Sequence, residues 1–393
     1  MKILHLISSE GFYGAENVVA ALARDLQQGG HPACVGVFEN AHATPNSVVS
    51  QFESCGLQVI RIPCRRRFDL GTVRRIREII RTQGIDLVHS HGYKSDIYAW
   101  FAARRLHLPL VATSHLWTRQ TAAVRFYEFL DSLVLRRFDA VAAVSERIAE
   151  QLRQSGVPAG KITVIDNGIN LTPFQSAVPV LKSELKAEER LVIGTVGRLT
   201  PQKGIEYFLA AARQLLNEFP QLLFAIVGDG PDREKLERMV RELNIEKSVH
   251  FIGARNDMPS IYASLDVFAL ASISEGMPMA LLEAMASGRP VVATAVGAVP
   301  QIVVSRETGM LVRSGDATDL AKALATLLCD PGLRARLARN GQTAVRERFS
   351  SQVMTQNYCK LYAQLLDKKN GRVDEVHSRV QVAAETTNSS HES

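Results

Sequence analysis

Short apolar runs rich in β-branched residues alternate with longer amphipathic stretches along most of the chain. In the first half the runs Ile3–Ile7, Ala33–Phe38, Leu57–Ile62, Leu87–His89, Leu110–Thr113, Ala140–Val144 and Ile162–Ile165 predict strands. Helical spacing fills Ala15–Gly29 and Leu70–Gln83 between them. Runs this apolar, separated by helices, predict a parallel sheet covered on both faces. The second half repeats the scheme. Strands are predicted at Leu191–Val196, Leu222–Val227, Val249–Ile252, Val267–Leu270, Val291–Ala293 and Gly309–Val312. Helices are predicted at Ile205–Glu218, Arg233–Leu243, Met258–Ala263, Pro278–Ser287 and Thr318–Leu328. The expected architecture is therefore two doubly wound, Rossmann-like α/β domains. Residues 1–172 form the first and 173–350 the second. Pro173, Pro179 and a charge cluster mark a linker around Leu171–Glu189. A helix at 351–369 is expected to pack back towards the first domain. Residues 370–393 are polar and lack aromatics, which predicts a disordered tail.

A length of 393 residues suits two cores better than one. The chain is 46% hydrophobic and 22% charged, ordinary values for a globular protein. No run approaches the roughly 18 apolar residues of a bilayer span, and the apolar start Ile3–Ile7 is too short for a signal-peptide core. A cytoplasmic location is expected, or one peripheral on the inner face of the membrane. The five cysteines are scattered without a CxxC pair, which argues against a disulfide framework or a thiolate metal site. The net charge of +6 is uneven: Arg61, Arg65, Arg66, Arg67, Arg74, Arg75, Arg77 and Arg81 stand against only Asp69 and Glu78. Such a run attracts anionic surfaces. Only Phe68 interleaves it, so stacking on nucleic-acid bases is not expected. From Val124 to Phe138, Val124, Tyr127, Leu130, Leu133, Val134 and Phe138 fall near one helical face beside Arg125, Arg136 and Arg137. That face could lie on lipid or face the core.

The chemistry gathers in three segments of the second half. Glu275-Gly276-Met277-Pro278 follows a predicted strand and opens a helix that carries Glu283. Proline tolerates the first helical turn, Gly276 allows close backbone approach, and free amides at a helix start favour a phosphate. A carboxylate accepts from two sugar or ribose hydroxyls at once. The segment Gly197-Arg198-Leu199-Thr200-Pro201-Gln202-Lys203-Gly204 places two cations after another strand, where they suit a diphosphate; a structural salt bridge is the other reading. Gly228-Asp229-Gly230-Pro231 needs only a turn to explain it, and neither a GxGxxG fingerprint nor a GK[ST] loop occurs. In the first half, Gly14 opens a helix and His115 follows a strand. His89 and His91 form an HxH pair without a third ligand at the usual spacing, so structural roles are expected for them.

Taken in order, these motifs make the chain resemble the retaining glycosyltransferases of the GT-B fold, in the large family GT4. The resemblance covers about residues 1–366. It rests on E-x7-E at Glu275 and Glu283, on GRL-x4-G from Gly197 to Gly204, on GDGP at Gly228–Pro231, on Phe251-Ile252-Gly253 and on Asn167-Gly168-Ile169. It implies two domains facing across a cleft and transfer of a hexose-type sugar from a nucleotide sugar, UDP- or GDP-linked. The acceptor would be a hydroxyl of a glycan or lipid-linked sugar, in cell-surface polysaccharide synthesis. Glu283 would bind the donor ribose. Glu275, with the amides of Gly276 and Met277 ahead of Pro278, would meet the transferred sugar. Arg198 and Lys203 would hold the diphosphate, Gly14 would sit near the phosphate, His115 would touch the donor sugar and Gly253 would lie near the base. Glu275, His115, Arg198 and Lys203 are the expected catalytic groups. No cofactor or metal is expected, and there is no DxD motif. Three departures bear on the acceptor: Tyr13-Gly14-Ala15-Glu16 replaces GGxE, Asn170 ends NGxD, and Gln301 stands where glutamate is usual. A sugar-nucleotide epimerase of the same fold and a non-catalytic nucleotide-sugar-binding protein remain as alternatives.

Overall fold

The computed structural model describes residues 1–9, 11, 14–40, 47–64, 69–115 and 122–388; side chains at 40, 47, 122–128 and 370–388 are outside that description. The chain divides into two compact units, Met1–Ile165 with Met354–Ser393, and Asp166–Val353.

In the first unit the order is β1 (Ile3–Ile7), α1 (Gly14–Gln28), β2 (Ala33–Asn40), α2 (Ser47–Ser54), β3 (Gln58–Cys64), α3 (Leu70–Thr82), β4 (Leu87–His91), α4 (Tyr93–Ala103), β5 (Leu110–Ser114), α5 (Ala122–Leu135), β6 (Ala140–Ala143), α6 (Glu146–Gln154) and β7 (Ile162–Val164). The sheet order is β3-β2-β1-β4-β5-β6-β7, with parallel pairing throughout. β1, β4, β5 and β6 are buried along their whole length, as continuous apolar runs predict. Chain order reverses between β1 and β4.

In the second unit the order is α7 (Thr172–Gln175), α8 (Leu181–Glu184), β8 (Val192–Val196), α9 (Ile205–Leu215), β9 (Leu223–Val227), α10 (Arg233–Glu242), β10 (Val249–Gly253), α11 (Met258–Ala263), β11 (Val267–Leu270), α12 (Met279–Ala286), β12 (Val291–Thr294), α13 (Val299–Ile302), β13 (Met310–Val312), α14 (Ala317–Cys329) and α15 (Pro331–Arg348). The parallel sheet runs β10-β9-β8-β11-β12-β13 and reverses between β8 and β11. α14 shows why these segments are helical. Asp316 caps it by accepting from the Asp319 amide, and Leu320, Leu324 and Leu327 recur at helical spacing. These leucines are buried in one core with Phe208, Leu209 and Ala212 of α9 and Phe224 of β9. Phe208 meets Phe224 edge-on at 5.8 Å. Full burial of each such side chain stabilises by about 1.5–3 kcal/mol.

The unit boundaries fall at 165/166 and 353/354 rather than at 172/173 and 350/351. Residues 166–171 join the second unit: Asp166 takes Arg348 at 2.8 Å, and Ile169 exchanges backbone bonds with Phe349 and Ser351. The expected linker is no loose strap either, because Ser264 Oγ accepts from the Val180 and Leu181 amides at 2.9 and 3.0 Å while donating to the Ser260 carbonyl. The last helix, α16 (Ser351–Asn388), joins the first unit from Met354 onward. Tyr362 bonds His89 at 2.7 Å, and Lys369 pairs with Asp139 at 3.1 Å. The helix continues as far as Asn388, through most of the stretch that composition reads as a disordered tail. That stretch contains no proline and only Gly371 as a breaker, so its polarity does not forbid a helix.

Candidate functional site

In doubly wound sheets, ligands bind beyond the carboxyl ends of the strands where the order reverses. In the second unit that point lies between β8 and β11. The loop after β8 carries Lys203 on a single 3-10 turn, Pro201–Lys203. The loop after β11 carries Glu275. Lys203 Nζ donates to Glu275 Oε1 at 2.6 Å, so the two predicted residues meet across the reversal. The salt bridge anticipated for Lys203 therefore exists, and its partner is the other site residue.

Glu275 is held from several sides. Ser272 Oγ donates to the same Oε1 at 2.6 Å. Ser272 is itself fixed, because its carbonyl accepts from Thr294 Oγ1 at 2.6 Å and Ser314 Oγ at 3.2 Å. The Ala298 amide donates to the Gly276 carbonyl at 3.1 Å. Gly297 lies at φ 58, and a Cβ there would overlap the Glu275 carbonyl oxygen. Only glycine allows that approach. Among the described residues Glu275 Oε2 has no partner, so one carboxylate oxygen is anchored and the other is available.

α12 starts at Met279 with Pro278 as its cap, one residue later than the sequence predicts. Gly276, Met277 and Pro278 are buried, and Met277 Sδ accepts from the Asn167 amide at 3.1 Å. Glu283, eight positions after Glu275, sits within α12 and accepts from the Tyr262 hydroxyl at 2.8 Å. Burial pushes the Glu283 carboxyl up to about 7, and the Tyr262 bond opposes that rise.

The loop after β9 packs on the Arg198 loop. Gly228 has φ 128, and a Cβ there would overlap the Gly197 carbonyl oxygen. The Leu199 amide donates to Asp229 and the Asp232 amide to the Leu199 carbonyl. Gly253 ends β10 and accepts from the Gly228 amide at 2.8 Å. Arg198 is exposed and has no side-chain partner among the described residues, so it is a free cation beside the paired Lys203. Arg255 is committed to Glu184 and Asp257.

Gly14 and His115 belong to the first unit. Gly14 opens α1 half-buried. His115 follows β5; its Nε2 has no partner among the described residues, and burial lowers its pKa to about 4, which leaves a neutral imidazole at pH 7. His5, His89 and His91 cluster on β1 and β4 with nitrogens within 4.8 Å of one another. His89 commits both ring nitrogens, to Tyr362 and Thr113 at 2.7 Å each. It could ligate a metal only by giving one up; His5 on β1, bonded to His91 at 3.2 Å, is the third histidine that spacing along the chain did not reveal. Tyr13, Arg65, Arg66 and Arg67 lie outside the described residues, as do the side chains of Val124, Arg125 and Tyr127.

Ser272, Thr294, Gly297 and Tyr262 are the site residues that sequence reasoning missed. Ser272 had a faint signal, three residues ahead of Glu275 in the same loop. The other three come from separate elements, and nothing along the chain ties them to a carboxylate.

Residues 180–344 match the model of "Glycosyl transferases group 1", and residues 12–172 match that of "Glycosyltransferase Family 4". The chain is 30% identical over 275 residues to the UDP-Gal:alpha-D-GlcNAc-diphosphoundecaprenol alpha-1,3-galactosyltransferase of Escherichia coli, covering 67% of this chain and 71% of that protein. It is 26% identical to the N-acetyl-alpha-D-glucosaminyl L-malate synthase of Bacillus anthracis, over 78% of this chain and 82% of that one. The crystal structure of Anabaena HepE in complex with UDP-glucose superposes with a TM-score of 0.82 at 25% identity, covering 93% of this chain and 100% of that chain.

Proposed function

The chain belongs to the family 4 glycosyltransferases of the GT-B fold, and from that premise we propose that it moves a hexose-type sugar from a UDP- or GDP-linked donor to a hydroxyl of a glycan or lipid-linked acceptor, with retention, in surface-polysaccharide synthesis. The observation that carries the donor site is the Lys203–Glu275 pair at the reversal between β8 and β11, with Glu283 behind it on α12. Lys203 and the free Arg198 neutralise the diphosphate as it departs. Glu283 accepts from ribose hydroxyls. Glu275 Oε2 and the Gly276 and Met277 amides meet the sugar, Pro278 starts α12 behind them, and Gly253 borders the base. His115 and Gly14 keep the roles that the resemblance gives them, towards sugar and phosphate. The UDP-Gal donor of the Escherichia coli relative and the UDP-glucose bound to HepE favour a uridine donor.

In the proposed step the C1–O bond to the diphosphate breaks, and its electron pair leaves on the phosphate oxygen. The acceptor oxygen bonds C1 on the same face, and its proton passes to that phosphate oxygen. No protein base is then needed. NMR of the product tests this: an unchanged anomeric configuration is expected, and inversion contradicts the step. Incubation with donor alone separates the epimerase reading, since an epimerase needs no acceptor. Two cations at the diphosphate take the part of a divalent ion, so we propose that no metal or other cofactor is required. Transfer is accordingly expected to persist unchanged in excess EDTA; loss restored by Mg²⁺ or Mn²⁺ would contradict that reading.

We also propose that the enzyme works at the cytoplasmic face of a membrane. No helix among the described residues is long and apolar enough to cross one. α5 buries Asp131, Ser132 and Leu135, with Phe138 buried just beyond it, and exposes Phe129 and Leu133 one turn apart; Arg136 and Arg137 follow, also exposed, with Arg136 donating to the Ser155 carbonyl at 2.6 Å. α3 adds exposed Leu70, Arg74, Arg75 and Arg81, whereas Arg77 is tied to the Phe101 and Ala102 carbonyls. Apolar tips beside exposed arginines suit an anionic surface. Flotation with phosphatidylglycerol vesicles at low salt is expected to carry the protein upward, and Phe129→Asp with Arg136→Glu to abolish that. A protein that stays at the bottom refutes attachment.

A further inference from the structure

We propose that Tyr262 is a positioning residue for nucleotide binding: its buried hydroxyl holds Glu283 as the ionised acceptor that a ribose diol requires. The inference deepens the donor-site reading and rests on it.

The geometry is specific. Tyr262 is wholly buried, on the short α11, and its hydroxyl donates to Glu283 Oε2 at 2.8 Å. The ring is locked by Phe268 at 5.9 Å and Phe174 at 6.2 Å, so the hydroxyl has a fixed aim. One Glu283 oxygen is thereby occupied by a donor, and the remaining acceptor capacity is turned to other donors. A phenol donates and stays protonated here, because burial and Glu283 push its own pKa well up.

Charge around Glu283 is sparse. β11, β12 and α7, which pack against α12, contain no ionisable residue, and α11 contributes only Tyr262. α15 also packs on α12; it approaches α12 with Gly341 beside Met285 and with Gln342 bonded to the Ala286 carbonyl. Its Arg336, Arg339, Arg346 and Glu347 are exposed, Arg334 bonds the Leu327 carbonyl and Arg348 pairs with Asp166. Burial thus raises the Glu283 carboxyl to about 7, and among the described residues the Tyr262 bond is the interaction that favours its charged form.

The sign follows. A protonated carboxyl offers a poorer acceptor pair to two hydroxyls, so nucleotide binding by the wild type weakens as pH falls through about 7. Removing the phenol hydroxyl lets the carboxyl titrate still higher. Tyr262→Phe is then expected to bind UDP roughly 10–100-fold more weakly at pH 7 and to approach wild-type affinity by pH 9. That size is the effect of losing one hydrogen bond to a charged group, converted at a factor of ten per 1.4 kcal/mol.

The test is calorimetric titration with UDP, and with GDP in parallel, from pH 6 to pH 9. Wild type, Tyr262→Phe and Glu283→Gln are compared, with melting points to confirm folding. A Tyr262→Phe deficit that closes as pH rises supports the proposal. A deficit equal at every pH, or none, overturns it, because a packing role alone has no pH dependence. Glu283→Gln is expected to bind weakly with a flat profile. If instead it binds as tightly as wild type, the ribose role of Glu283 fails, and the proposal falls with it.

Discussion

Lys203→Ala is expected to lower kcat/KM for the nucleotide sugar about 10²–10³-fold, the loss typical of removing one preorganised charge from a transition state. The diphosphate gains negative charge as the sugar leaves, so a cation at that point matters more in the transition state than in the ground state. Lys203 is well placed: its side chain is 22% exposed, and Ser272 and Lys203 share Glu275 Oε1. The variant also strips Glu275 of its ionic partner. Breaking a buried pair costs up to about 3–5 kcal/mol, and the partial exposure of Lys203 reduces that figure. Adding Glu275→Ala should restore part of the lost melting temperature while transfer stays low, since the double variant has no unpaired charge. Measured rates and melting points together separate the two effects. If Lys203→Ala keeps wild-type kcat/KM, the diphosphate is held elsewhere.

Gly297→Val is expected to abolish most transfer and to lower the melting point. The backbone there is left-handed, which costs a branched residue roughly 1–2 kcal/mol or more. The larger effect is steric. A Cβ at 297 overlaps the Glu275 carbonyl oxygen, which is backbone and cannot swing aside. The Glu275 loop must shift, and a misplacement of about 1 Å at a reacting site can cost about 10²-fold in rate. Gly84→Val is the control: it has a similar φ of 60 and open space around it. That variant should lose stability but retain the activity of whatever remains folded. Equal loss of activity in both would show that Gly297 acts through backbone strain alone.

The two-domain fold was legible because its signal is repetitive. Each predicted strand in the second unit lies within one or two residues of β8 to β13, since a continuous apolar run between turns has few other uses. Helices without a clean stripe were harder: α4 mixes Tyr98, Ala99 and Ala102 with Ser95 and Asp96, all buried, so its polar residues hide its role. The α5 stripe was misaligned. Leu133 is exposed and Asp131 buried, which no hydrophobic pattern would choose. The site was legible where one loop holds several of its parts, as with Glu275 to Glu283. It was illegible where tertiary contact supplies the role. Gly297 matters only because β11 and β12 are neighbours, and Tyr262 only because α11 meets α12. Within the second unit, the pairing of Ile169 with Ser350 joins its two ends, which no local cue announces.

The loops after β8 and β11, with α12, are proposed to bind the nucleoside diphosphate of a sugar donor. Calorimetric titration of wild type and of Lys203→Ala with UDP and GDP at one salt concentration tests it most directly. Saturable, equimolar binding of at least one of them is expected for wild type, weakened tenfold or more in the variant. Binding of neither nucleotide, or equal affinity in the two proteins, would contradict it.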